Sequence, residues 1–323
     1  MTPRTTYLLR RLAFLALLVF LVSSASMLLA RLAPGDASVE AVGQGATMTD
    51  IQRERERLGL TQGLAASYVT WLARALRLDF GESFRYGRPV LPLVAERAAN
   101  TALLGVVALA LATLVGVPLG IVGAGNRAAL GRLLLAMSTV ALSLPPLVLA
   151  IALAWFAART GWLPVGGMTT AGADEGSAAA RAADLARHLV VPALALAIPL
   201  AATLERLQSR TMARALEAPW VQAARARGVP AGRLRWVHAA LVAAGPVIAV
   251  YGLLAGSVLS GSFAVEIVTA WPGLGRLMYE ALLARDVNLV AGCAAATSAC
   301  VAIGTLAADA VLAWVDPRTG EAP

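Results

Sequence analysis

The segment Glu217–Ala240 reads EAPWVQAARARGVPAGRLRWVHAA and lies between two long apolar runs. Pro219 suits the first turn of a helix, because its missing N–H would have no intrahelical partner there. Gly228 is typical of the position just after a helix, because glycine adopts a positive φ without a steric penalty. The pattern therefore predicts a helix of about two turns, over residues 220–227, that ends at Gly228.

This predicted helix is basic and carries a small apolar surface. Arg225 and Arg227 lie in its last turn, where cations interact favourably with the helix dipole. Trp220, Ala223 and Ala224 are expected to be available for a shallow contact with another protein. An ordinary basic loop on the cytoplasmic side of a membrane would carry similar charge, so the charge alone leaves both interpretations open.

The composition indicates an all-α polytopic membrane protein. Of the 323 residues, 59% are hydrophobic and 14% are charged, whereas soluble domains carry about 25% charged residues. All 27 basic residues are arginine, so the chain lacks the lysine that a phosphate-binding P-loop or a Schiff base needs. We therefore expect no cofactor bound by this chain. The net charge of +8 is attributed to membrane topology and not to nucleic-acid binding.

The side chains that build catalytic and metal sites are few and scattered. Cys293 and Cys300 are seven residues apart in one apolar run, about 10 Å along a helix and too far for a disulfide. His188 and His238 are isolated from other ligand types, so no metal site is expected. Ser257 and the serines after it have no His–Asp pair nearby in the sequence, and no catalytic residue is expected.

Uncharged runs predict six transmembrane helices. The first is Leu12–Ala30, which is longer than the apolar region of a signal peptide. Five more uncharged runs follow, and their lengths are compared with the roughly 20 residues that a span needs. They cover residues 98–126, 133–158, 188–204, 236–265 and 287–308. The run 188–204 is the shortest and contains two prolines, and an extension past Glu205 would place that charge near the membrane interface.

Prolines and small residues within the spans suggest how they are shaped and packed. Pro145–Pro146 interrupt the third span and Pro246 the fifth, and each proline frees a backbone carbonyl. Gly252, Gly256 and Ser260 would let a neighbouring helix approach closely.

Residues 31–98 form a long polar insert after the first helix. Thr49 and Gln52 resemble a capping box at the start of one helix, with Gly59 as its end. A second helix is predicted over residues 64–78, with an apolar stripe that includes Tyr68 and Trp71. This stripe could lie on the bilayer surface or pack on the spans, and packing is favoured.

The distribution of arginine predicts the orientation. With a cytoplasmic N-terminus, 13 arginines fall in cytoplasmic segments and five in the short outer loops, as the positive-inside rule requires. Six spans then put both termini in the cytoplasm and the insert outside the cell. The predicted segments are 1–30, 31–98, a core over 99–316 with a cytoplasmic loop at 206–237, and a tail at 317–323.

Short motifs along nearly the whole chain resemble those of the permease subunits of binding-protein-dependent ABC importers, in the dipeptide/oligopeptide/nickel branch. Glu217–Ala218 followed by Gly228 is similar to the EAA loop of that family, with Trp220 in place of Tyr and Arg227 in place of Lys. Pro219 departs from the EAA triplet itself. The other motifs, in chain order, are Arg10–Arg11, Pro34–Gly35–Asp36, Leu58–Gly59–Leu60, Asp79–Phe80–Gly81–Glu82–Ser83, Pro89–Val90, Trp271–Pro272–Gly273, Arg285–Asp286 and Asp316–Pro317–Arg318.

The resemblance implies a type I ABC importer permease fold with a helical extracytoplasmic insert after helix 1, in the inner membrane of a bacterium. It implies a heterodimer with a second permease subunit, two cytoplasmic ATPase domains that bind ATP–Mg, and an extracytoplasmic solute-binding protein. The implied solute is a dipeptide, oligopeptide, nickel chelate, glutathione or another small molecule. The implied ATPase-coupling residues are Glu217, Ala218, Trp220, Ala224, Arg225, Arg227 and Gly228.

The same resemblance implies that the outer loop faces the cavity and the solute-binding protein. The residues expected there are Glu266, Trp271, Pro272 and Gly273. Polar residues expected along the translocation path are Asn100, Ser138, Ser143, Tyr251, Ser257 and Thr297.

The energy source distinguishes the remaining alternatives. The predicted bilayer interior carries no Asp, Glu, Lys or Arg, whereas an ion-coupled carrier normally needs such groups or broken half-helices. Pro145–Pro146 could break a span into two half-helices, so an ion-coupled carrier or channel stays open as an alternative. A membrane enzyme also stays open. The chain is best interpreted as a subunit that is driven from outside, through residues 217–228.

Overall fold

The computed structural model describes residues 3–33, 47–57, 63–124 and 129–315. Helices account for most of these residues, and the described part of the chain contains no strand beyond one isolated bridge. The helices are α1 (Pro3–Leu32), α2 (Met48–Arg57), α3 (Leu64–Ala75), α4 (Val90–Gly123), α5 (Ala129–Ser143), α6 (Pro146–Thr160), α7 (Ala178–Glu217), α8 (Pro219–Ala226), α9 (Ala240–Val268), α10 (Leu274–Leu283) and α11 (Val287–Val315).

Five of these helices are continuous and apolar enough to span a membrane. The third predicted span is instead two helices, α5 and α6, which are bent by 97° at the break between them. The cause is Pro145, whose extended ψ of 145° turns the chain before Pro146 starts α6. The six predicted spans are therefore five continuous helices and one sharply broken pair.

Helix α7 is much longer than the uncharged run that predicted it. It continues through Pro192 and Pro199 and has 40 residues, a length of about 60 Å against a hydrocarbon thickness of about 30 Å. Glu205 lies inside this helix and is only 6% exposed. Glu266 and Asp286, which flank two of the predicted uncharged runs, are likewise buried in the protein.

The chain forms two compact units. Among the described residues, one unit contains residues 3–4, 103–271 and 303–315, and the other contains those within 5–102 and 272–302. The first unit has a core made by α4, α6, α7 and α9. In the second unit, the start of α4 packs with α10 and the first part of α11. These units differ from the predicted segments, and α4 begins at Val90, before the predicted end of the insert at residue 98.

Two glycines of α4 allow the closest helix packing in the first unit. A Cβ atom on Gly116 would lie 2.4 Å from the carbonyl oxygen of Ala201 on α7, and one on Gly120 would lie 2.6 Å from Cβ of Gln208. Real Cβ atoms do not approach so closely, so α4 and α7 can pack in this way only because both positions lack a side chain. The sequence pattern G-x-x-x-G at these positions is the signal that could have predicted the contact.

The small residues that the sequence singled out on α9 differ in how closely another helix approaches them. A Cβ on Gly252 would lie 3.3 Å from Thr305, which is a close helix contact. Gly256 has no neighbour within 4 Å, and Ser260 is exposed. The predicted close approach is therefore wrong for Gly256 within this chain.

The insert belongs to the second unit, and its helices begin and end near the predicted positions. The cap of α2 is formed by Thr47 and not by Thr49, because the side chains of Thr47 and Asp50 exchange hydrogen bonds with each other's backbone N–H. Helix α3 ends at Ala75, short of the predicted residue 78. The predicted end of α2 at Gly59 lies outside the described residues.

Helix α3 packs on α1, which settles the two alternatives for its apolar stripe. Trp71 is buried against Met27. The Tyr68 hydroxyl donates to Ser24 of α1 over 3.1 Å. Arg31 of α1 donates to Ser67 over 3.0 Å. Packing on a span, the favoured alternative, is therefore confirmed.

Candidate functional site

The basic helix α8 follows α7 after a single extended residue. Ala218 has a ψ of 146° and separates the two helices, and Pro219 occupies the first turn of α8. Gly228 has a φ of +79°. Its N–H donates to Arg225 O over 2.9 Å, and the next N–H, of Val229, donates to Ala224 O over 3.1 Å. These two bonds form a Schellman cap, so the predicted helix and its glycine stop are confirmed.

One face of α8 packs on its own chain. Val221 and Ala224 are 1% and 7% exposed, and they form a cluster with Leu234. Trp220 is half-buried at the edge of this cluster. The expectation that Ala224 is available for a contact with another protein is therefore wrong, because its side chain helps to hold α8 in place.

The other face of α8 is exposed and mostly polar. Gln222, Ala223, Arg225 and Arg227 point away from the cluster, and Arg227 Nε donates to Ala223 O over 3.2 Å. Glu217, the last residue of α7, is also exposed. The face presents two guanidinium groups and one carboxylate, which suits a partner surface with charges of both signs.

A π-helical segment, Leu234–Ala239, connects the α8 region to the long helix α9. Such segments are rare and are frequently found at functional sites. Arg235 lies within it and donates to the carbonyl oxygen of Ala124, just after α4, over 3.1 Å. Sequence reasoning missed this segment, because no residue pattern in it distinguishes i→i+5 from i→i+4 hydrogen bonding.

Three of the predicted translocation-path residues, Tyr251, Ser257 and Ser143, form hydrogen bonds within the first unit. Tyr251 and Thr113 share a hydrogen bond of 2.6 Å between their hydroxyl groups. Ser257 is exposed and donates to Leu253 O of its own helix over 3.1 Å. Ser143 is also exposed and likewise bonds to a carbonyl of its own helix.

Arg206 is a functional candidate that sequence reasoning missed. It lies on α7 and reaches α5, where its Nε donates to the Ser138 hydroxyl over 3.3 Å and its Nη2 donates to Thr139. Each of these two hydroxyls also bonds to Leu135 O. The guanidinium therefore fastens the first helix of the broken span to α7.

The outer-loop residues are more buried than expected. Glu266 and Trp271 are fully buried, and Gly273 is buried as well. Pro272 O accepts a hydrogen bond of 2.8 Å from Asn100 Nδ2. The expectation that Glu266 and Trp271 face a cavity or a partner is therefore wrong for this conformation.

Asp286 joins two of the sequence motifs within the second unit. Its Oδ2 accepts hydrogen bonds from the Ser83 hydroxyl over 2.6 Å and from the Arg85 N–H over 3.1 Å. Its Oδ1 accepts from the Leu289 N–H over 3.0 Å, which caps the start of α11. One fully buried carboxylate thus anchors the turn at residues 83–86 of the insert to the last span.

A second carboxylate links α10 to the same turn. Glu280 accepts hydrogen bonds from the Tyr86 hydroxyl and, over 3.1 Å, from Arg276 Nε. Burial would raise the pKa of Glu280, but these hydrogen bonds outweigh it and hold the pKa below its ordinary value. Burial and the bond to Glu280 raise the pKa of Tyr86.

The variant Tyr86→Phe is expected to lower the free energy of unfolding at pH 7 by about 1 kcal/mol, because the ionised Glu280 loses a hydrogen bond. Since the pKa of Glu280 is lower in the folded chain, this stabilisation is complete above the unfolded pKa and is lost as the pH falls through the folded pKa. The difference in melting temperature between parent and variant should therefore shrink between pH 7 and about pH 3. Tyr68→Phe is the control, because Tyr68 bonds to a neutral hydroxyl. A Tyr86→Phe difference that stays constant over this range would contradict the linkage.

Comparisons with known proteins agree with this architecture. The family described as "Binding-protein-dependent transport system inner membrane component" matches residues 116–321. Its N-terminal counterpart, "Binding-prot-dependent transport system membrane comp, N-term", matches residues 4–105. The chain is 31% identical to a probable peptide ABC transporter permease of Sinorhizobium fredii, over 97% of this chain and 98% of the relative. It is 29% identical to the oligopeptide transport system permease AppB of Bacillus subtilis, with the same coverage.

Proposed function

The chain belongs to the family of binding-protein-dependent transport system inner membrane components, and from that membership we propose that it forms the translocation path of a peptide importer. It is a permease subunit of an ABC importer, so an ion-coupled carrier is not favoured. Relatives that cover nearly the whole chain are named for peptide and oligopeptide transport. Peptides are therefore the solute class of this proposal.

In this proposal, ATP is bound with Mg²⁺ and hydrolysed on separate subunits, which contact α8. The chain contains no lysine for a P-loop of its own. The exposed Arg225, Arg227 and Glu217 offer ionic contacts, while Val221 and Ala224 anchor α8 to its own chain. A movement of the ATPase subunits would therefore be passed to α7 and α9, the helices on either side of α8.

The family implies ATPase and solute-binding partners in general. We propose in addition a second, homologous permease subunit, two ATPase domains and an extracytoplasmic solute-binding protein. Both termini then lie on the cytoplasmic side of the inner membrane. The excess of arginine in the predicted cytoplasmic segments supports this orientation.

The variant Gly228→Val tests the coupling role of α8. A β-branched residue at a φ of +79° costs about 1–2 kcal/mol, and it should displace the end of α8 without preventing membrane insertion. In the complete reconstituted importer, we expect peptide uptake per ATP hydrolysed to fall roughly tenfold. Gly232→Val is the matched control, because Gly232 lies in the same loop, without a positive φ and without a neighbour within 4 Å. Unchanged coupled uptake in Gly228→Val would count against α8 as the contact with the ATPase.

A further inference from the structure

The carboxylate of Glu205 is buried in the described part of the chain. It is 6% exposed, and its Oε2 atom has no hydrogen-bond partner among the described residues. Burying a carboxylate costs free energy unless it is paired or hydrogen-bonded. A buried polar group that lacks a partner in one conformation therefore calls for an explanation.

Glu205 has no cation within reach on its own helix. The positions one turn further along α7 are Gln208 and Ser209, and those one turn back are Ala201 and Ala202. Arg206 is adjacent in sequence, but it extends to the hydroxyl groups of α5. The partner for Glu205 must therefore come from another element.

The carboxylate lies beside the C-terminal end of α4. A Cβ atom on Gly123 would be 3.5 Å from Oε1 of Glu205. At the next residue, the carbonyl oxygen of Ala124 accepts the hydrogen bond from Arg235 Nη2. The carboxylate of Glu205 and the guanidinium of Arg235 thus lie beside two successive residues at the C-terminal end of α4. They form no ion pair in this conformation.

The segment that carries Arg235 differs in its helical geometry from the residues on either side. Residues 234–239 are π-helical between a helical turn and α9. A π-helical turn contains an additional residue relative to an α-helical one, so conversion between the two rotates the side chains on either side. Arg235 is also only half-buried, which leaves its side chain room to move.

We propose that Glu205 and Arg235 form an ion pair in a second conformation of the permease, in which Arg235 has left the carbonyl of Ala124. Arg235 then has two alternative acceptors: the C-terminal end of α4, where the helix dipole favours a cation, and the carboxylate on α7. The guanidinium of Arg235 has a hydrogen-bond acceptor in both conformations. The carboxylate of Glu205 has a cationic partner only in the second. The exchange links the loop after α8 to the middle of α7, and it rests on the proposed function of α8 as the contact with the ATPase.

The test compares Glu205→Gln, Arg235→Gln and the double variant in the complete importer, reconstituted in liposomes. Glu205→Gln removes a buried unpaired charge, so the melting temperature of the purified full-length permease should stay unchanged or rise. Peptide uptake should nevertheless fall roughly tenfold, which a merely structural role would not produce. Arg235→Gln should lower uptake to a similar extent, and the double variant should transport no worse than either single variant. Arg132→Gln is the control, because Arg132 is an exposed arginine of the nearby helix α5.

The proposal is overturned if Glu205→Gln transports peptide at the rate of the parent. It is also overturned if the losses of the two single variants multiply in the double variant. Binding of the ATPase subunits, measured on the same samples, separates this failure from that of the proposed function. Parent permease that binds no ATPase would refute the coupling role of α8. Normal ATPase binding with normal uptake in Glu205→Gln would refute only the ion pair.

Discussion

Gly116→Ala is expected to destabilise the purified permease by about 2 kcal/mol, although alanine is the better helix former by about 1 kcal/mol. The new methyl group would lie 2.4 Å from the carbonyl oxygen of Ala201, and a helix backbone cannot yield locally as a flexible side chain can. Gly120→Ala should have a similar effect, since its methyl group would meet Gln208 and the carbonyl oxygen of Glu205. Larger residues at either position should prevent accumulation of folded protein, because native stability is only about 5–15 kcal/mol.

The matched control for these variants is Gly256→Ala on α9. No atom lies within 4 Å of the Cβ position there, so we expect this change to stabilise the isolated chain by up to about 1 kcal/mol. Thermal unfolding in detergent measures all three variants under one condition. A melting temperature for Gly116→Ala equal to that of Gly256→Ala would show that α4 and α7 do not pack through the two glycines of α4.

Asp286→Ala is expected to lower the free energy of unfolding by about 3 kcal/mol or more. The change leaves two buried donors, the Ser83 hydroxyl and the Leu289 N–H, and the partly buried N–H of Arg85 without their acceptor, and each unsatisfied buried donor costs about 1–3 kcal/mol. The expected consequence is that the turn 83–86 detaches from the start of α11.

The control for Asp286→Ala is Asp79→Ala, in the motif that contains Ser83. The side chain of Asp79 is 57% exposed, and its hydrogen bond to Gly81 is solvent-exposed, so the cost should stay below about 1 kcal/mol. Hydrogen exchange at Arg85 and Leu289, measured together with the melting temperature, reports on the two N–H groups directly. Protection of both amides in Asp286→Ala would contradict the anchoring role.

Much of the secondary structure could be predicted from the sequence, because it depends on local signals. The lengths of the uncharged runs located the spans. Pro219 marked the start of α8 because the φ of proline is restricted, and Gly228 marked its end because glycine tolerates a positive φ. The limits of α7 were harder to predict. The uncharged run 188–204 covers only part of this helix, which extends over Ala178–Glu217 and continues through Pro192 and Pro199.

The candidate site was predicted less completely than the fold. The exposed arginines of α8 could be recognised as a charged surface, whereas the burial of Ala224, Glu266 and Trp271 could not. Burial depends on which elements pack on a residue, and a small or aromatic side chain suits an interface and a core equally well. Arg206 and Arg235 were counted only as topology signals, although both make specific contacts with other helices.

Run lengths, arginine distribution and motif order were sufficient to identify an all-helical membrane protein with a basic helix between two of its spans, because these properties follow from local chemistry and from the bilayer. Only the tertiary structure decided which polar groups meet: Asp286 with the turn at Ser83, Arg206 with α5, and Arg235 with the end of α4. Within the described residues, it also left Oε2 of Glu205 without a hydrogen-bond partner. Contacts between residues far apart in sequence depend on how the helices pack, which no local pattern encodes.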